Sequence, residues 1–108
     1  MEHVQESIKP LIQLVLGYLA IRIRSKHELV QYLEGKTTDP QKSDLVLSYL
    51  DEHHLINDEE FAHSWAESRL RKLKGDLFIQ SELRQKGISQ SIIQDTILNI
   101  SPETWNSA

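Results

Sequence analysis

The sequence contains no cysteine among its 108 residues. That excludes disulfides and thiolate metal sites, and nothing in it asks for an oxidising compartment. A long apolar run is also missing. The longest such stretch, Leu14 to Ile23, is interrupted by Gly17 and Arg22 and is too short to cross a bilayer. The opening residues, Met1-Glu2-His3-Val4-Gln5-Glu6, are acidic where a secretory signal would be basic. A soluble, cytoplasmic protein with no membrane contact is the expectation. Basic charge is in deficit, with 12 Lys and Arg against 16 Asp and Glu and a net charge of −4. A dedicated duplex-DNA binder usually carries a basic surplus, because phosphate contacts supply most of its non-specific affinity. The balance therefore argues against autonomous tight DNA binding.

Patterns that carry chemistry are absent too. There is no Gly-rich phosphate loop, no nucleophile-elbow pattern and no convincing carboxylate dyad. Glu59-Glu60 is explained by favourable charge in the first turn of a helix. The histidines, His3, His27, His53, His54 and His63, contain no pair spaced four apart. Adjacent His53 and His54 would point about 100° apart on a helix, which suits no shared ion. A non-enzymatic protein without metal or cofactor is expected.

What the sequence does contain is helical periodicity. Apolar residues recur at that spacing almost throughout, and no stretch alternates with period two for long. Ser25-Lys26-His27-Glu28 has the form of a capping box, the serine hydroxyl accepting from the amide of Glu28 and the glutamate reaching back to the amide of Ser25. Asp39-Pro40 sets a cap before a proline at the first helical position. Asn57 with Glu60 repeats the box pattern. Gly75 and Gly87 each follow a lysine and read as helix stops, with Asp76 and Ser89 capping the helices after them. The expected fold class is all-α, with about six helices: Ile8 to Arg24, Lys26 to Glu34, Pro40 to His53, Asp58 to Leu73, Leu77 to Lys86 and Gln90 to Asn99.

A repeat underlies this order. Leu29 and Leu33 on the second helix correspond to Ile79 and Leu83 on the fifth. Leu45, Val46 and Leu50 on the third correspond to Ile92, Ile93 and Ile97 on the sixth. Two tandem three-helix repeats joined by short linkers are expected, over residues 1–56 (with an N-terminal extension) and 57–100. Residues 101–108 form a tail in which Ser101-Pro102-Glu103-Thr104-Trp105 looks like the start of another helix, so a two-repeat or C-terminally truncated form is expected. Nothing encodes a coiled-coil seam, and a monomer is the expected state.

One stretch goes further. From Leu55 to Ile88 the order of Leu55-Ile56-Asn57-Asp58, Phe61-Ala62, Trp65, Arg69, Lys74-Gly75, Ile79, Glu82-Leu83 and Lys86-Gly87-Ile88 resembles the central repeat of RecX proteins. Tyr18-Leu19-Ala20, Arg22 and Arg24-Ser25-Lys26-His27-Glu28-Leu29 resemble that family's first repeat. The resemblance covers roughly Ile12 to Ile100. It implies tandem three-helix repeats that bind in the groove of the RecA recombinase filament on single-stranded DNA, suppress its ATPase and strand-exchange activities and promote filament loss. The physical reading of the same residues is a core: Phe61, Ala62, Trp65, Ala66, Leu70 and Leu73 fall on one stripe of a helix.

The candidate contacts for such a partner are basic. From Glu34 to Glu60 the chain is acidic, with only Lys36 and Lys42 opposing; from Arg69 to Lys86 the bases are Arg69, Arg71, Lys72, Lys74, Arg84 and Lys86. Those six are the principal candidates, and Arg22, Arg24 and Lys26 form a second group. Their plainer role is solvation and favourable charge at helix C-termini, Arg24 also serving the helix end beside it. RecX-like sequences often carry further bases just after the glycine, where this chain has Asp76, Leu77 and Phe78. The alternative function is a stand-alone helical module that binds single-stranded nucleic acid.

Overall fold

Four of the six helices begin where a side chain accepts from an amide that has no partner within the helix. Ser25 is extended at φ −74° and ψ 161°, and its hydroxyl and Glu28 complete the capping box in both directions, each bond 3.1 Å. Asp39 accepts from the amide of Gln41 at 2.9 Å ahead of Pro40. Asn57 accepts from Glu60, and Ser89 from Ile92.

The computed structural model describes residues 2–100, with side chains from Ser7 onward. The helix start expected at Ser101 to Trp105 lies outside the described residues. Among the described residues the chain is all-α, with six helices: α1 (Glu2–Ile21), α2 (Lys26–Glu34), α3 (Pro40–Glu52), α4 (Asp58–Arg71), α5 (Asp76–Gln85) and α6 (Gln90–Asn99). It divides after Ile56 into two units, α1–α3 and α4–α6, and within each unit the three helices pack pairwise.

In the first unit Ile8, Ile12 and Val15 line one face of α1. They meet Leu29 and Leu33 of α2 and Val46 and Leu50 of α3. All seven are buried at helical spacing, and each large aliphatic contributes about 1.5–3 kcal/mol by leaving water. Leu45, expected in this core, is exposed, and Leu47 packs against it instead. The helix α1 differs from expectation at both ends. It begins at Glu2 and carries Pro10 inside, which removes one backbone donor from the ladder. It stops at Ile21, three residues before Arg24, and Ser25 is extended to cap α2.

In the second unit the buried set is Phe61, Ala62 and Ala66 of α4, Ile79 and Leu83 of α5, Ile93 and Thr96 of α6, with Ile88 and Ile100. Thr96 satisfies its hydroxyl by donating to the carbonyl of Ile92 at 2.7 Å.

Three helices end in the same way. His54, Leu73 and Gly87 have φ of 58°, 61° and 77°. After each, the next amide reaches five residues back: Leu55 to Leu50, Lys74 to Arg69 and Ile88 to Leu83, at 2.8, 3.0 and 3.0 Å. This is the Schellman turn, whose left-handed position suits glycine. At Gly87 the expected stop is present. At Gly75 it is not: that residue, at φ −79° and ψ 168°, is the N-cap of α5, and Asp76 is the first helical residue and no cap. The stop is Leu73, two residues earlier. Its side chain is therefore thrown off the core stripe on which it was expected and is 94% exposed. A left-handed non-glycine residue costs about 1–2 kcal/mol.

Candidate functional site

The nine basic candidates separate once their partners are known. Arg22 holds Glu28 with both guanidinium ends, Nη1 to Oε1 at 3.1 Å and Nη2 to Oε2 at 2.6 Å, and also donates to the carbonyl of Ile23. Such a forked pair is geometrically specific and stronger than a single-point contact. Glu28 is buried, so this one carboxylate both completes the α2 cap and neutralises Arg22. Arg24 is buried as well. Its guanidinium lies 3.7 Å from the centroid of the Tyr18 ring and donates, at 3.3 and 3.4 Å, to the carbonyl of Tyr18 near the end of α1. Tyr18 in turn stacks on Tyr32 at 4.2 Å. Lys26 is exposed and lines a cleft of about 360 Å³ that also holds Asp44 and Asp51. Arg22 and Arg24 are thus engaged within their own unit.

The second unit gathers its contacts on one carboxylate. Arg69 donates from Nε to Glu82 Oε1 at 2.8 Å, and its guanidinium lies 4.5 Å over the Trp65 ring. The indole N–H of Trp65 donates to the same oxygen at 3.1 Å, and the Lys86 ammonium lies 5.0 Å over the same ring. In the second unit one arginine thus joins an aromatic ring of α4 to a carboxylate of α5, whereas in the first unit these contacts are divided between Arg24 on Tyr18 and Arg22 on Glu28. Arg84 reaches the amide oxygens of Gln80 and Gln90.

What remains is the turn between α4 and α5. Arg71, Lys72 and Lys74 are exposed there, Arg71 and Lys72 forming no salt bridge among those found in the described residues. The Lys74 ammonium lies 5.0 Å from the Phe78 ring. Phe78 is 45% exposed and Leu77 is 77% exposed. The sequence pointed to the bases of this turn and missed its apolar half: Leu73 read as core, and Leu77 and Phe78 read only as places where bases are missing. Glu82, which organises Arg69 and Trp65, was also missed as an anchor. Among the described residues no group of three or more histidines and carboxylates is placed to hold a metal ion, and no helix is long and apolar enough to cross a membrane.

Residues 57–97 match the sequence model of the RecX second three-helix domain. The regulatory protein RecX of Lactobacillus johnsonii is 34% identical over 98 residues, covering 90% of this chain and 36% of that protein. That of Halalkalibacterium halodurans is 32% identical over 100 residues, covering 92% and 38%. That of Amycolatopsis mediterranei is 34% identical over 89 residues, covering 82% and 51%. A crystal structure of a regulatory protein RecX superposes with a TM-score of 0.82 and 28% identity, covering 95% of this chain and 51% of the other. The chain therefore spans between about a third and a half of the length of these relatives.

Proposed function

The chain belongs to the RecX family of regulatory proteins, and from that premise we propose that it binds the RecA recombinase filament and inhibits its ATPase and strand-exchange activities in recombination and DNA repair. It acts by occupying a surface and performs no chemistry. The observation that supports this reading is the α4–α5 turn, where Arg71, Lys72 and Lys74 stand exposed while most of the other candidate bases serve their own unit. Exposed cations beside apolar side chains suit a protein partner with a complementary acidic face. The test is the effect of the chain on single-strand-dependent ATP hydrolysis by RecA of the same organism, with binding to bare single-stranded DNA measured alongside. Suppression of hydrolysis at concentrations that leave bare DNA unbound is expected; a well-folded chain that leaves hydrolysis untouched would sink the proposal.

A second reading, a module that binds single strands alone, draws on Lys74 and the half-exposed Phe78, a pairing of the kind on which bases stack. It requires binding to bare strands that falls steeply with salt.

A further inference from the structure

The turn between α4 and α5 carries side chains that the fold does not explain. Leu73 is 94% exposed and left-handed, and glycine would serve the same Schellman turn without strain and without an apolar side chain in water. Single exposed leucines are ordinary. Here, however, Leu73, Leu77 and Phe78 all fall within residues 73–78, beside Arg71, Lys72 and Lys74. A strained backbone that holds an apolar side chain out in solvent points to a contact with another molecule.

We propose that this turn is the docking element, inserting Leu73, Leu77 and Phe78 into an apolar depression on a protein whose rim is acidic, while Arg71, Lys72 and Lys74 pair with that rim. The inference rests on the proposed RecA filament as partner, and it assigns the turn and the chemistry by which the filament is held. Charge complementarity sets the rim: the turn is basic on a chain whose net charge is −4. Two leucines offer no flat face for a base, Asp76 at the start of α5 repels phosphate, and so few cations release few counterions. A protein surface fits these side chains better than a nucleic acid strand does. Apolar anchors ringed by charge are the usual arrangement of strong contact points between proteins.

The test is binding of the full chain to RecA filaments on single-stranded DNA, compared with Leu73→Gly and with the double variant Leu77→Ser, Phe78→Ser, each also followed by thermal melting. Leu73→Gly relieves the backbone and removes the anchor, so it should melt higher yet bind about tenfold more weakly. The double variant should also bind more weakly while keeping a native circular-dichroism spectrum. If the parent chain binds and both variants bind equally well, this inference falls and the proposed function stands. If the parent chain does not bind, both fall. Binding to bare strands that disappears in these variants would overturn the inference in favour of nucleic acid. A concentration-dependent dimer that disappears in them would overturn it in favour of a second copy of the chain.

Discussion

Arg69 and Glu82 meet between α4 and α5 at 2.8 Å, and the carboxylate oxygen they share also takes the Trp65 indole N–H. Both side chains are roughly three-quarters buried, with 23% and 22% of their surface exposed. The consequence is that Arg69, though basic and in the expected place for a partner contact, is a structural residue first. Glu82→Ala should lower stability by about 1–2 kcal/mol, since it leaves an indole and a guanidinium without their acceptor in a partly buried site. Urea denaturation followed by circular dichroism would read the loss, and Glu82→Gln, which keeps an acceptor for the indole, should lose less.

Arg24 should behave in the same way in the first unit. Removing it exposes the Tyr18 ring and leaves the Tyr18 carbonyl without the donors at 3.3 and 3.4 Å. Arg24→Ala should lower the melting temperature by several degrees, on the order of 1 kcal/mol in a unit of this size. Its affinity for the filament, corrected for the folded fraction, should be unchanged. A loss of affinity with unchanged melting would return Arg24 to the list of contacts.

Arg71 and Lys72 are predicted to do the reverse. Both are exposed at the end of α4, so reversing them to glutamate should leave the circular-dichroism spectrum native. Like charge would then face the acidic rim proposed for the partner, and filament binding should weaken by about tenfold or more. Undiminished affinity of the folded variant would remove these bases from the proposed contact.

Two of the Schellman turns predict opposite signs for opposite changes. Gly87→Ala places a Cβ at φ 77° and should cost about 1 kcal/mol. His54→Gly relieves φ 58° and should gain a smaller amount, because glycine also loosens the unfolded chain. Thermal melts of the two variants, moving in opposite directions, would check both.

Much of the fold was legible in the sequence because its signals are local. The capping box at Ser25 and Glu28, the Asp39-Pro40 start, the Ser89 cap and the spacing of Leu29, Leu33, Ile79 and Leu83 each depend on residues within one or two turns. Helix ends were less legible. The lysine-glycine pattern is the same at Gly75 and Gly87, yet one glycine starts a helix and the other ends one, and the two residues beside them do not say which. Misplacing that end put Leu73 in the core. The candidate site was half legible for a related reason: charge can be counted along a chain, but whether Arg22, Arg24 or Arg69 reaches a carboxylate, a ring or a carbonyl depends on where neighbouring helices bring those groups.

The first unit closes on itself early in the chain. Its buried core runs from Ile8 to Leu50, with Ile56 packed against it. Contacts this near in sequence form quickly, as in other small helical bundles. A ribosome adds about 5–20 residues per second, far slower than such a bundle collapses. The first unit can therefore close, with Arg22 and Arg24 already held, before the basic turn of the second has left the ribosome.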